Sequence, residues 1–106
     1  MIFDVRTYRL HPGKTSQFFE TYEKEGMGPQ VHHLGNMVAF LQSHIGEQNQ
    51  ILHIWGYESI ADREARRARL FADPAWINYM PKVQPLFQHM ENKTMIPAPF
   101  WTPKQG

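Results

Sequence analysis

Cysteine is absent from this 106-residue sequence. Without thiols the chain can form no disulfide, no thiolate metal site, no iron–sulfur cluster and no cysteine nucleophile. The six histidines are dispersed: His32 and His33 are adjacent, and therefore about 100° apart on a helix, while His44 and His53 are diagonal neighbours on a predicted hairpin. Neither His53 nor His89 belongs to an axial-ligand motif for haem. We therefore expect no metal site and no cofactor.

Long apolar runs and a surplus of either charge are also missing. No apolar run approaches the ~20 residues that span a bilayer, and segment 2–5 resembles a strand rather than a signal or transit peptide. We expect no membrane insertion and a cytoplasmic location. Eleven basic and ten acidic residues give a net charge of +1 without a uniformly basic tract, so nucleic acid is not an expected partner.

The sequence does contain enough apolar residues for a packed core. Hydrophobic residues make up 42% and aromatic residues 13% of the chain, despite eight prolines. This composition is typical of a folded domain, and the length is close to the commonest domain size. We expect one domain, residues 1–106.

Alternating apolar and polar residues predict strands over 2–10, 37–45, 50–58 and 92–97. A helix should begin near Thr15 or Ser16, be interrupted at 26–29, and resume as a short piece over 30–34. The order of strands and helices is βαββαβ. It predicts an α+β, ferredoxin-like fold: a four-stranded antiparallel sheet with the helices on one face and the first and third strands at its centre.

Two further helices follow the third strand. Ser59 and Asp62 have the spacing of a capping box, and the inward face of the helix they begin should be a stripe of alanines, Ala61, Ala65, Ala68 and Ala72. Asp73 and Pro74 should begin the last helix. Its inward residues should be Trp76, Tyr79 or Met80, Val83 and Phe87, with a kink or break at Pro81 and Pro85.

The predicted hairpin has one strongly aromatic face. If Gly46 lies opposite Asn49, the register pairs Val38, Phe40, Gln42 and His44 with Tyr57, Trp55, His53 and Ile51. The other face carries Ala39, Leu41, Leu52 and Ile54. Few helices are available to cover the sheet, so we expect the aromatic face to pack against a second copy of the chain, making a homodimer through the open sheet face.

Several short motifs together resemble the NIPSNAP family of the dimeric α+β barrel superfamily. They are Arg6-Thr7-Tyr8, Pro12-Gly13-Lys14, Ile45-Gly46 with Asn49-Gln50, His53-Ile54-Trp55-Gly56-Tyr57-Glu58, Ala61-Asp62-Arg63 with Arg66-Arg67, and Asp73-Pro74-Ala75-Trp76. The resemblance implies a homodimer whose two sheets face each other, with the helices outside. It implies no particular reaction, because superfamily relatives include monooxygenases, lactone isomerases and polyketide-processing proteins.

The weak catalytic candidates are His53, Arg6 and Tyr8, which the predicted sheet brings together. Arg6 needs a carboxylate partner, supplied by Asp4, by Glu58, by a second copy or by a ligand. The imidazole of His53 suits proton transfer and a tyrosine hydroxyl could stabilise an enolate or phenolate. A packing role for His53 remains the favoured interpretation.

Five residues are candidates for contact with a ligand between sheet and helices: Arg6, Tyr8, Trp55, Tyr57 and Trp76. The group Arg63, Arg66, Arg67 and Arg69 resembles a phosphate grip, but interleaved acidic residues favour a solvated or intersubunit face.

The sequence thus predicts a small homodimeric protein without an assignable reaction, which binds a small hydrophobic or carboxylate ligand. The alternative is a cofactor-independent monooxygenase or isomerase using His53 with Arg6 and Tyr8. A third interpretation is a scaffold that recruits other proteins through an exposed apolar patch.

Overall fold

The computed structural model of the protein describes residues 1–103. Its elements, in chain order, are β1 (Ile2–Leu10), α1 (Thr15–Thr21), a π-helical segment (Tyr22–Gly26), α2 (Met27–Leu34), β2 (Asn36–Gln42), β3 (Gln50–Tyr57), α3 (Ile60–Ala72), α4 (Pro74–Val83), a 3₁₀ segment (Gln84–Leu86) and β4 (Phe87–Met95). In this part of the chain no helix is both long enough and apolar enough to cross a membrane.

The four strands form one antiparallel sheet in the order β2-β3-β1-β4. This confirms the ferredoxin-like fold and the central position of β1 and β3. Arg6 on β1 lies opposite His53 on β3 and Asn92 on β4. The last strand begins at Phe87, five residues before the predicted start, because the chain leaves the 3₁₀ segment directly into pairing with β1.

The helices cover the aromatic face of the sheet. Trp55 is fully buried and Tyr57 is 2% exposed within a single chain, and both belong to the core that also includes Tyr22 and Tyr79 from the helices. The prediction that this face packs against a second copy is therefore wrong. The sheet's large aromatic residues are covered instead by the aromatic and aliphatic residues that the helices supply.

The opposite face of the sheet is the one without a helical cover. It presents Val5, Leu52 and Ile54 at its centre and Leu41 towards the β2 edge. Beyond β4, the side chain of Trp101 packs on Phe3 at the same face, with ring centroids 6.1 Å apart. The C-terminal tail thus covers one part of an otherwise open surface, on which Lys93 and Glu91 of β4 lie beside Val5 and Thr7.

The β2–β3 hairpin has a different register from the predicted one. Phe40 lies opposite His53, not Trp55, and the register shifts once more at Val38, between Met37 and Ala39. The pairing is shifted by two residues because the loop is longer: Ser43 donates a backbone hydrogen bond to Gln50, which leaves 44–49 as the connection. A two-residue shift keeps Phe40 on its predicted face, whereas beyond the second shift Met37 lies opposite Trp55 and packs against the core.

The first helical region is continuous from Thr15 to Leu34, so the interruption predicted at 26–29 is wrong: residues 27–29 belong to α2, and a π-helical segment at Tyr22–Gly26 precedes them. Gly26 ends this segment and lies against the ring of Tyr79. A Cβ atom at Gly26 would be 2.5 Å from Tyr79 Cζ. The glycine therefore lets the helix and α4 approach closely, while backbone hydrogen bonding continues around the π turn.

The cap of α3 is confirmed, since the Ser59 hydroxyl accepts a hydrogen bond from the Asp62 amide at 3.1 Å. The predicted alanine stripe is wrong, because all four alanines are exposed. Leu70 is buried and Arg63 and Arg67 are half-buried beside it. The aliphatic parts of arginine side chains can cover apolar surface. Arg63 also donates a hydrogen bond to Asp4 in the sheet, and this contact helps to turn the Arg63 side of the helix towards the sheet.

The inward face of α4 matches the prediction for Trp76, Tyr79, Met80 and Val83, whereas Phe87, predicted on this helix, is the first residue of β4. Trp76, Tyr79 and Val83 are buried, and Met80 and Phe87 pack against the core. Pro81 lies inside the helix, which continues to Val83. Pro85 lies in the following 3₁₀ segment, so the helix ends after Pro81 rather than at it.

Two glycine substitutions test the close approach at the π segment. Gly26→Ala should lower the free energy of unfolding by about 1–3 kcal/mol, because its methyl group would overlap the Tyr79 ring. Gly28→Ala is the matched control: its Cβ would meet nothing within 4 Å, and it should raise stability by roughly 0.4–1 kcal/mol. Urea unfolding measures both, and equal stabilities for the two variants would contradict the described packing.

Candidate functional site

A cavity of about 220 Å³ lies between the helices and the sheet. Most of its wall is aromatic or aliphatic, and several polar side chains interrupt it. The apolar and tyrosine residues of the wall come from both the sheet and the helices: Tyr8, Phe18, Tyr22, Phe40, Leu70, Phe71, Trp76, Tyr79, Met80, Val83, Phe87 and Met90. The other polar residues are Arg6, Gln30, His53 and Arg67.

Local structure explains how these polar side chains come together. Alternation along β1 places Asp4, Arg6 and Tyr8 on the helix-covered face, and the β1–β3 register puts His53 beside Arg6. The i, i+4 spacing on α3 puts Arg63 and Arg67 on the side of the helix that faces the sheet. The polar side chains of the cavity therefore come from both layers, with Arg6, Tyr8 and His53 on the sheet and Arg67 on α3.

Asp4 is fully buried and answers two arginines. Its Oδ2 accepts hydrogen bonds from Arg6 Nη1 at 3.0 Å and Arg63 Nε at 3.2 Å, and its Oδ1 accepts one from Asn92 Nδ2 at 3.1 Å. Burial opposes ionisation, but the Asn92 hydrogen bond and the two guanidinium groups outweigh it and hold the pKa of Asp4 below its ordinary value. Asp4 is the predicted carboxylate partner of Arg6.

Tyr8 accepts a second hydrogen bond from Arg6. Arg6 Nε donates to the Tyr8 hydroxyl oxygen at 2.8 Å. The hydroxyl acts as an acceptor in this contact, so its own proton is free to donate to another group. Because Tyr8 lines the cavity, that proton is available to a bound molecule.

Arg67 adds a positive charge that has no carboxylate partner among the described residues. It lines the cavity, and its guanidinium carbon is 5.0 Å from the centre of the Phe71 ring. Among residues 1–103 no acidic group lies within ion-pair distance of it, whereas Arg63 contacts both Asp4 and Glu64. Burial, and then repulsion from Arg6 and Arg63, lowers the pKa of Arg67, but a guanidinium remains charged in proteins.

His53 is buried beneath the cavity. Its Nδ1 accepts a hydrogen bond from Trp55 Nε1 at 2.8 Å, and its buried Nε2 has no partner in the described part of the chain. Burial, and then the charge of Arg6, lowers the pKa of His53 to about 3. The imidazole is therefore neutral at neutral pH.

The helices contribute three further polar side chains, from Tyr22, Gln30 and Trp76. The Tyr22 hydroxyl donates to Gln30 Oε1 at 2.5 Å, which fixes both side chains in the wall. Trp76 Nε1 is buried and has no hydrogen-bond partner within residues 1–103. Its N–H can only donate a hydrogen bond, and it adds a second donor to the hydroxyl proton of Tyr8.

Four of the residues predicted from the sequence line this cavity: Arg6, Tyr8, His53 and Trp76. Trp55 and Tyr57 do not. Trp55 lies in the core next to His53, as its hydrogen bond to that ring shows, and Tyr57 is buried in the core with its hydroxyl unpartnered by any described group.

The sequence interpretation missed Arg67, Tyr22 and Gln30. Arg67 was assigned to a solvated or intersubunit face, which is wrong for Arg67 and for Arg63. The signal that could have identified them is the spacing of Arg63, Arg67 and Leu70, which puts all three on one side of α3. Arg66 instead pairs with Asp62 at 2.9 Å, and Arg69 is exposed as predicted.

No group of three or more histidine, aspartate or glutamate side chains is arranged to hold a metal ion in the described residues. The cavity wall offers hydrogen-bond donors from Tyr8 and Trp76, and the positive charge of Arg67, which has no carboxylate partner among residues 1–103. This arrangement suits a ligand with acceptor oxygens and a negative charge.

Comparison with known proteins identifies similar chains. The family model for NIPSNAP matches residues 3–102. Protein NipSnap homolog 2 of Danio rerio is 30% identical over 96 residues, which are 91% of this chain but 33% of that protein. The chain thus spans about a third of that relative's length.

Solved structures give the same result. A NIPSNAP family protein with unknown function from Agrobacterium tumefaciens is 44% identical, with a TM-score of 0.92 covering 95% of this chain and 91% of that one. A putative antibiotic biosynthesis monooxygenase from Nitrosomonas europaea is 14% identical, with a TM-score of 0.64 covering 95% and 100% of the two chains. The second likeness concerns the fold alone.

The pairing of Asp4 predicts a specific response to acid. Asp4→Asn should lower the free energy of unfolding at about pH 7 by about 3 kcal/mol, because two guanidinium groups lose their buried carboxylate. Since the pKa of Asp4 is lower in the folded than in the unfolded chain, its stabilisation is present above its ordinary pKa of 3.8 and is lost as the pH falls through the lowered folded value.

Urea unfolding between about pH 7 and about pH 2 measures this difference. The wild type should lose stability over the acidic range and approach the Asp4→Asn variant. Glu20→Gln, at an exposed helix position, is the control and should follow the wild type. An Asp4→Asn variant as stable as the wild type at neutral pH would refute the assigned network.

Proposed function

The chain belongs to the NIPSNAP family, and we propose that it is a homodimer that binds a small aromatic or similarly apolar carboxylate in the cavity between its sheet and its helices. The single observation that carries the ligand proposal is the unanswered charge of Arg67 in a largely apolar wall. A desolvated charge without a partner is unfavourable. A ligand carboxylate would supply the counter-charge and could accept two parallel hydrogen bonds from the guanidinium fork.

The cavity also limits the size of the ligand. Its volume is about 220 Å³, compared with the roughly 150 Å³ of an engineered apolar cavity that binds benzene. The space therefore suits one six-membered ring with a small polar group. Phe18, Phe40 and Phe87 supply aromatic contacts for such a ring, while the carboxylate would lie towards Arg67.

The second candidate is a cofactor-independent monooxygenase or isomerase that uses His53, Arg6 and Tyr8. The observation in its favour is that these three residues line one cavity. A general base is most effective when its pKa is close to the working pH, and the pKa of His53 is lowered to about 3. An enzyme at this site would therefore use His53 to polarise a substrate oxygen rather than to abstract a proton. Carboxylate binding needs no general base, and we therefore prefer it.

The homodimer proposal rests on the open face of the sheet. Val5, Leu52, Ile54 and Leu41 form an apolar patch that no helix within residues 1–103 covers, and exposed patches of this kind are typical of protein interfaces. A second copy is the occupant we propose, because two identical sheets can pack face to face about a two-fold axis. The net charge of only +1 gives little repulsion between copies.

Arg67→Gln tests the ligand site. Wild-type protein should bind benzoate, measured by titration calorimetry, and should bind the neutral isostere benzamide at least tenfold more weakly, because a charge-assisted hydrogen bond is worth about 1.5–3 kcal/mol. Arg67→Gln should weaken benzoate binding by roughly tenfold or more. Arg69→Gln, an exposed position on the same helix, is the control. Equal binding of benzoate by both variants, or no benzoate binding by the wild type, would refute the assignment.

Ile54→Asp tests the dimer. Ile54 lies at the centre of the open sheet face, so a carboxylate there would be buried without a partner in the dimer. Light scattering should give the mass of two chains for the wild type and of one chain for this variant, with circular dichroism confirming that it is folded. Ile77→Asp, on the exposed side of α4 and 52% exposed in the native protein, should remain dimeric. A monomeric wild type would contradict the proposal.

A further inference from the structure

The hydrogen-bonding state of His53 gives the cavity a further property. We propose that Trp55 holds His53 in the neutral tautomer with its proton on Nε2, so that His53 donates a hydrogen bond to an oxygen atom of the bound carboxylate. Trp55 is then a positioning residue and His53 a ligand-binding donor. This inference rests on the ligand proposed above for the same cavity.

The tautomer follows from the chemistry of the two rings. The indole Nε1–H of Trp55 can only donate a hydrogen bond, and it lies 2.8 Å from His53 Nδ1. His53 Nδ1 must therefore present a lone pair. A neutral imidazole carries one proton, so this proton is on Nε2.

The surroundings of His53 are consistent with a neutral ring. The Tyr8 ring lies edge-on to it at 4.8 Å, and Phe40 stacks on it at 4.6 Å. The charged groups nearby are Arg6 and Asp4 from β1 and Arg67 from α3, and Asp4 is already engaged with two arginines and Asn92. Burial lowers the pKa of His53 to about 3, so the doubly protonated ring is not populated at neutral pH.

His53 Nε2–H is then a buried donor without an acceptor among the described residues. Because His53 lines the cavity, a ligand oxygen there would satisfy it. The Tyr8 hydroxyl proton and the Trp76 Nε1–H are free donors at the same cavity. The site therefore favours an ionised oxygen, which can accept hydrogen bonds from these donors and carries the charge opposite to that of Arg67.

This arrangement also specifies what His53 cannot do. A general base needs a free lone pair, and in this tautomer the Nδ1 lone pair is held by Trp55 while Nε2 already carries a proton. His53 would stabilise negative charge on oxygen, as a neutral donor can. It would not remove a proton from a substrate.

Nitrogen-15 NMR of histidine-labelled protein, without any ligand, reads the tautomer directly. We expect a protonated Nε2 and an unprotonated Nδ1 for His53 at neutral pH, unchanged as the pH is lowered to about 5. A proton on Nδ1 would overturn the inference. Addition of benzoate should shift the Nε2 proton resonance downfield, and an unperturbed resonance at saturating benzoate would overturn the donor role.

Trp55→Phe removes the indole donor and keeps an aromatic ring. This variant should populate both tautomers of His53 and should bind benzoate about threefold to tenfold more weakly, whereas Trp101→Phe, far from His53 on the other face of the sheet, should change neither. Should Trp55→Phe fail to fold, the two wild-type measurements still decide the question. An unchanged tautomer in a folded variant would show that Trp55 does not position His53.

The experiment separates this inference from the proposed function. An Nδ1–H tautomer in a protein that binds benzoate would refute the inference and leave carboxylate binding in place. An Nε2–H tautomer in a protein that binds no carboxylate would refute the proposed function and, with it, the donor role of His53.

Discussion

The buried carboxylate of Asp4 is the interaction on which the rest of the site depends. It joins Arg6 in the sheet, Arg63 on α3 and Asn92 on β4, and so fixes one helix over two strands. One buried negative charge cannot answer every nearby arginine, even with the exposed Glu64 beside Arg63. The charge that remains belongs to Arg67 at the cavity, and the network that stabilises the fold thereby leaves the cavity positive.

The chemistry of the cavity follows from this imbalance together with its donor-rich wall. Tyr8 is used as an acceptor by Arg6, and His53 is used as an acceptor by Trp55. Each of these contacts occupies an oxygen or nitrogen lone pair and leaves an O–H or N–H for a ligand. Binding of an anion therefore needs no rearrangement of the surrounding hydrogen bonds. Membership of the NIPSNAP family leaves the reaction open, because the likeness to monooxygenases extends only to the fold.

Local sequence signals predicted the elements well, and the contacts between elements less well. The alternation of β1 and the cap at Ser59 are short-range features and were read correctly, and the order of elements led to the ferredoxin-like sheet. The aromatic face was assigned to a dimer because nothing local states which face the helices cover. The inward face of α3 was assigned to alanines because Asp4, which attracts Arg63, is distant in sequence.

The candidate site shows the same division. Arg6, Tyr8 and His53 were found because strand alternation and pairing place them on one face. Arg67 was missed, since its burial depends on how a helix rotates over the sheet. The hairpin register also failed, since loop length rather than strand pattern sets it. The central claim is tested most directly by a crystal structure of the protein grown with benzoate. We predict density for a carboxylate in contact with Arg67 and a ring between the helices and the sheet; a cavity that contains only water, with benzoate absent or bound elsewhere, would contradict it.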